Sequence, residues 1–309
     1  MMSQLQSIRQ LTGALLLACL ICLTSRSTAD DSNHDEPFRK IAVIGASASA
    51  GFGVVEAIRV SEGKTRLQGV TLSDVLVESA RQSDVVVLDL ASGGFFTRPL
   101  EFGKSSVQRA VAWKPDLVVG VDFLFWYVYG GRNHADDPEN EKAKRLEGLE
   151  QGLAVLELVK CPLVIGEIPD MSLAIGGMLS KRQVPSLEAM KAVNERIHDW
   201  ADSHANVAVV PLFDLIESLR NKEAFTIGEH AWPAPTDDEP MMLPDNLHPN
   251  LRGLVALIQS IQTEAMNTDG LKERMPTLEL DRAILIAGIR DGTEEEVEVE
   301  VEETTSTDP

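Results

Sequence analysis

The sequence runs to 309 residues with a formal charge of −20, 25% charged residues and 5% aromatic residues. That length suits one substantial core better than two equal domains, and the acidic balance argues against a nucleic-acid binder, whose phosphate contacts need clustered Lys and Arg. Cysteines occur only at positions 19, 22 and 161, too few for a disulfide-stapled module.

The first 29 residues read as a signal peptide. Arg9 is the positive start, residues 11–23 form a largely apolar run, and Ser27, Thr28 and Ala29 offer a cleavage site after Ala29. The run is short against the roughly 20 residues of a membrane span, so export is expected over a retained anchor, with lipid attachment at Cys19 as the lesser alternative. Cleavage would leave Cys161 without an intramolecular partner. Residues 30–38 read as a polar linker, with order beginning at Arg39 or Lys40. The domain is expected over 39–290, followed by a disordered acidic tail over 291–309 that holds nine acidic groups and no Lys or Arg.

Within the domain, continuously apolar runs at 41–44, 85–88, 117–120, 163–165 and 207–210 have the character of strands buried on both faces. Between them, residues 71–81, 101–113, 139–160 and 187–205 recur at helical spacing, and 251–266 continues the pattern. Thr71 and Ser186 are the expected caps, neither with a Glu or Gln three residues on to complete a capping box. Pro249 is expected in the first turn of the last helix, and 278–289 as a final packed element. Strands alternating with helices imply an α/β fold, a three-layer α/β/α arrangement around a five-stranded, largely parallel sheet.

Two segments carry chemistry. Gly45, Ala46 and Ser47 end the first strand in a tight turn, and Asp245, Asn246, Leu247, His248 and Pro249 form a late loop after a Pro-rich, acidic stretch. A serine hydroxyl becomes a useful nucleophile only when an imidazole takes its proton and an acid holds the ring in the right tautomer. Ser47, His248 and Asp245 are the candidates for those roles, with Ser49 as the second hydroxyl. The ends of parallel strands are where open sheets gather ligands. His34, His134, His198, His204 and His230 are dispersed and make no zinc signature. The glycines around Ser47 lack the spacing of a phosphate or dinucleotide loop. No metal or other cofactor is expected.

Over most of residues 40–267 these blocks resemble the SGNH, or GDSL-like, hydrolase superfamily, with its flavodoxin-like sheet. The late Asp-x-x-His-Pro block is the most specific of them. The resemblance implies a serine nucleophile at Ser47 with Asp245 and His248 completing the triad, and an oxyanion hole built by Ser47, by Gly93 (or Gly94) and by position 122. It also implies an esterase, lipase or carbohydrate deacetylase that works through an acyl-enzyme, with a small lipid ester, an acetylated carbohydrate or another acyl compound as substrate. Two positions depart from the family pattern: Ala46 stands where the family has Asp, and Asp122 where it has Asn. An ionised Asp122 would repel an oxyanion, whereas a protonated one could donate to it. The aromatic stretch after it, including Phe123, Phe125 and Trp126, is expected to line an apolar pocket. The alternative function is a noncatalytic ligand-binding protein on the same fold.

Overall fold

The computed structural model describes residues 36–61, 64–80, 83–130, 137–279 and 281. The described residues from Pro37 onward form one compact unit. The expected signal segment, the acidic tail and most of the packed element at 278–289 lie outside the described residues.

Five strands make the central sheet: β1 (Lys40–Val43), β4 (Val86–Asp89), β5 (Leu117–Gly120), β6 (Leu163–Gly166) and β7 (Val207–Val210). They pair in the order β4-β1-β5-β6-β7, every pair parallel. Taken in chain order within this sheet, that is the 2-1-3-4-5 arrangement of doubly wound folds, with its switch point between β1 and β5. The loops leaving those two strands meet at the carboxyl edge of the sheet, where folds of this kind place their ligands.

The apolar runs explain the layering. Alternate residues of a strand face opposite sides: Ala42, Val118, Leu163 and Ile165 enter one buried cluster, while Ile41, Val43, Leu117, Val119 and Val164 enter the other. The first cluster is completed by α2 (Pro99–Trp113), α3 (Phe125–Tyr129), α4 (Pro138–Leu156) and α5 (Leu187–Asp202). The second is closed by α1 (Leu72–Ser79) and α7 (Leu251–Asn267), through residues such as Val75, Leu254 and Ile258. Each fully buried Val, Leu or Ile stabilises by roughly 1.5–3 kcal/mol relative to exposure, so runs like Leu117–Gly120, buried at all four positions, have no competitive alternative to a central strand.

Several details differ from the sequence reading. Phe38, placed in the linker, is fully buried and donates its amide to the Arg274 carbonyl at 2.7 Å, so packing begins before Arg39. Thr71 does close a capping box: its hydroxyl accepts from the Asp74 amide at 3.1 Å, and Asp74 Oδ2 accepts from the Thr71 amide at 2.7 Å. The shorter Asp does what Glu or Gln was sought for. Pro249 precedes α7 rather than opening it, and Asn250 is the cap, accepting from the Gly253 amide at 3.1 Å.

Three elements were not foreseen. A hairpin of β2 (Val55–Ser61) and β3 (Lys64–Gly69) projects after the Ser47 turn, with β3 largely exposed. A small hairpin of β8 (Phe225–Ile227) and β9 (His230–Trp232) precedes the late loop. Between β7 and that hairpin lies α6 (Leu212–Arg220), an amphipathic helix with no buried residue. Among the described residues, no helix is long and apolar enough to cross a membrane.

Candidate active site

The chain leaves β1 through Gly45, whose φ of +151° and missing Cβ are both needed: a Cβ there would lie 2.1 Å from Asp122 Oδ1. That close approach lets the Asp122 carboxylate, arriving just after β5, take over the polar groups of the following turn. Oδ1 accepts from the Ala46 amide at 3.0 Å and the Ser49 hydroxyl at 2.6 Å. Oδ2 accepts from the amides of Ala48 at 3.0 Å and Ser49 at 3.1 Å. Asp122 therefore sits in the site as an acceptor of four hydrogen bonds. The oxyanion-donor role considered for position 122 does not fit this arrangement, because both oxygens are committed to a turn that would otherwise hold unpaired donors. Ser49, the second candidate hydroxyl, is fully buried and spent on the same carboxylate.

Ser47 stands at the crest of this turn. Among the described residues its amide has no acceptor, in contrast to its neighbours Ala46, Ala48 and Ser49. Its hydroxyl lies 2.8 Å from His248 Nε2, across 201 positions of sequence. His248 Nδ1 in turn lies 2.7 Å from Asp245 Oδ2. A carboxylate at Nδ1 holds the proton there and leaves Nε2 as the acceptor for the hydroxyl.

The late loop supports itself locally. Asn246 has a φ of +55°, a left-handed conformation that Asn tolerates better than most residues. This bend lets Asp245 Oδ1 accept from the amides of Leu247 at 2.9 Å and His248 at 3.0 Å. Burial alone would push the Asp245 carboxyl up, but the hydrogen bonds from the His248 ring and from the two amides hold it below its ordinary value. His248 is itself buried, 2% exposed. The ring of Phe52 packs against the imidazole with centroids 4.6 Å apart, and its amide donates to the Ser47 carbonyl at 2.9 Å. Phe52 escaped the sequence reading because it sits in a glycine-rich turn with no periodicity to mark it.

The Ser92-Gly93-Gly94 loop is tied to the same edge, the Ser92 amide donating to the Gly45 carbonyl at 3.0 Å. The Gly94 amide is occupied by Ser92 Oγ at 3.2 Å. Gly93 is exposed, and a Cβ there would meet nothing within 4 Å.

Of the aromatic stretch, Phe125 and Trp126 line a cavity of about 100 Å³ that reaches Ser47 and His248. Phe123 does not: it is fully buried, edge-on to Phe95 at 5.5 Å and tilted against Tyr127 at 5.6 Å. It lies in the turn before α3 and points with Leu124 into the core. Tyr129 stacks on Phe125 at 4.1 Å, donates to the Pro169 carbonyl at 2.7 Å and accepts from the Met171 amide at 2.9 Å, which fixes the Phe125 wall. Arg145, also unmarked in the sequence, lies fully buried beneath α3 and donates to the Val128 carbonyl at 2.6 Å. His198 lies outside this cavity, 2.7 Å from Glu167 Oε1, and His204 contacts the Trp200 carbonyl at 2.7 Å.

No protein-family model and no curated protein matches the sequence. Among solved structures the chain is similar to TesA at 16% identity and a TM-score of 0.41, covering 74% of this chain and 99% of that one. It is similar to a putative GDSL-like lipase from Parabacteroides merdae at 12% identity and a TM-score of 0.44, covering 77% and 98%. A third is a catalytic mutant of the acetylxylan esterase Axe2 from Geobacillus stearothermophilus, at 14% identity and a TM-score of 0.43, covering 75% and 95%. At such scores the likeness carries no weight for the site, whose chemistry rests on its own distances.

Proposed function

We propose that this protein is an exported serine ester hydrolase that works through an acyl-enzyme on Ser47. The observation that carries the reading is the unbroken chain from Ser47 Oγ to His248 Nε2 at 2.8 Å and from His248 Nδ1 to Asp245 Oδ2 at 2.7 Å, set at the mouth of an apolar cavity. A half-buried serine–histidine contact with the histidine held from behind by a carboxylate is the geometry that nucleophile activation requires.

In this scheme Ser47 Oγ attacks the ester carbonyl carbon as its proton passes to His248 Nε2. The carbonyl oxygen becomes an oxyanion. It is received by the Ser47 and Gly93 amides, since Asp122 takes the amides on either side of Ser47 and Ser92 takes that of Gly94. The carbon–alkoxy bond then breaks and the leaving alcohol takes the proton from His248. Water repeats the sequence in reverse, giving its proton to His248, releasing the acid and returning the proton to Ser47. Asp122 acts in this scheme as a positioning residue, holding the turn that aims Ser47. The export call rests on the basic, apolar and small-residue succession at the start of the sequence.

A fluorophosphonate probe tests the assignment. Labelling confined to Ser47, lost in Ser47→Ala and suppressed in His248→Ala, is the expected result. Absence of labelling in folded protein across a pH series would overturn the reading in favour of a noncatalytic binding protein.

A further inference from the structure

Leu212, Leu215, Ile216 and Leu219 recur at the spacing of one face of α6. They are half-buried and pack against the edges of the two core clusters, and no residue of the helix is fully buried. All four also line the cavity that begins at Ser47 and His248, together with Met241, Met242, Ala256 and Leu257.

The wall offers almost nothing to a hydroxylated substrate. Glu167 is the charged side chain at its far side, and both carboxylate oxygens are taken: Oε1 by His198 at 2.7 Å, Oε2 by the Phe213 amide at 3.1 Å. The remaining polar side chains on the cavity are Ser47, His248 and Asp122 at its reacting end and the indole of Trp126. Ile216, Leu219, Met171, Met241 and Met242 also line a second cavity, of about 340 Å³, that continues past the helix toward Arg220 and Lys222. Those two cations are paired with Asp170 and Asp237.

We propose that α6 is the wall of an acyl-chain channel and that the substrates are esters of unbranched aliphatic acids, not acetylated sugars. This rests on the ester-hydrolase reading of Ser47. The acyl group is assigned to the channel because it stays bonded to Ser47 while the alcohol leaves and water enters. An apolar wall suits the part that remains. The departing alcohol is left the exposed side, where Gly93, Phe96 and Phe52 meet solvent. From Leu212 to Leu219 the helix spans about 10 Å at ~1.5 Å per residue, the reach of a roughly eight-carbon chain. Beyond that length the second cavity takes the chain end, so longer chains add little and lose little.

The test is a series of p-nitrophenyl esters from acetate to dodecanoate, run beside alkyl acetates of matching length. In the acyl series kcat/KM should climb by up to about fourfold per methylene to near eight carbons and then level off. The alkyl acetates should stay flat. Ile216→Trp, which fills the channel between the two cavities, should lower the octanoate-to-acetate ratio about tenfold or more. Leu219→Phe serves in its place if that variant unfolds. Independently of turnover, calorimetric titration of Ser47→Ala should show decanoate binding at least about tenfold more tightly than acetate, a difference abolished by adding Ile216→Trp. Hydrolysis that is flat or falls with acyl length would overturn the channel assignment while leaving the hydrolase standing, and a slope in the alkyl acetates alone would move the channel to the alcohol. No hydrolysis and no Ser47 labelling, with decanoate still bound through Ile216, would overturn the hydrolase and leave the aliphatic-chain site. Failure of decanoate to outbind acetate would overturn the channel on its own.

Discussion

The two loops that meet at the site are held by opposite means. The Ser47 turn has its amides satisfied by Asp122, a carboxylate more than seventy positions away in the chain, whereas the Asp245–His248 loop satisfies its own amides from Asp245 within three residues. The difference teaches where each is vulnerable. A self-supported loop keeps its shape as long as its own residues allow the bend, but a turn clamped from another strand depends on the sheet that brings the clamp.

The largest expected effect belongs to the contact between the two loops. Ser47→Ala and His248→Ala should each lower kcat by about 10⁶-fold, and the double variant hardly further, as for residues that act as one unit. Steady-state rates on one ester measure this. Additive losses would show that the two side chains do not work together.

Within the late loop, Asp245→Asn should lower kcat by about 10⁴-fold through loss of the tautomer that leaves Nε2 free. The same residue links the loop to acid stability. Because the folded state holds its carboxyl below the ordinary value, its contribution is complete above the unfolded-state pKa and disappears as pH falls through the lower folded value. Thermal unfolding of parent and Asp245→Asn should therefore converge on acidification, and parallel curves across that range would refute the linkage.

The early turn should break through its clamp. Asp122→Asn exchanges an acceptor oxygen for an N–H₂ facing amides that already donate. We expect a loss of roughly 2–4 kcal/mol in stability from unpaired donors, with kcat falling and KM nearly constant as Ser47 loses its aim. A variant that is as stable as the parent and faster would instead restore a donor role to position 122.

The smallest effect tests whether the late loop is truly self-supported. Asn246→Ala should cost up to about 1 kcal/mol, because Ala keeps the Cβ that disfavours the left-handed bend but loses the short polar side chain that eases it in Asn, while Asn246→Gly should cost little. Equal losses in both variants would mean that the Asn side chain, not the backbone bend, matters.

This contrast also accounts for what could be read without coordinates. The late loop was visible because its chemistry is local: Asp245 and His248 stand three residues apart, and the carboxylate takes its amide hydrogen bonds from within the same loop. Runs such as 117–120 and 163–165 announced buried strands because residues apolar on both faces have nowhere else to go. Position 122 was noticed, but its direction was not, since a carboxylate after a strand can give or take a hydrogen bond until its neighbours are known. Phe123 and Phe125 are two residues apart in one aromatic stretch, and only the turn between β5 and α3 sent the first to the core and left the second on the crevice.

The sequence alone determined the alternation of buried strands and amphipathic helices, the tight turn that carries Ser47 and the nearness of Asp245 to His248, because each depends on residues within a few positions of one another. The tertiary structure alone decided that Ser47 and His248 meet, that Asp122 clamps rather than donates, and that the stripe of α6 faces a cavity. Those outcomes depend on which distant surfaces the sheet order brings together, and an apolar stripe carries the same pattern whether it meets a core or an empty channel.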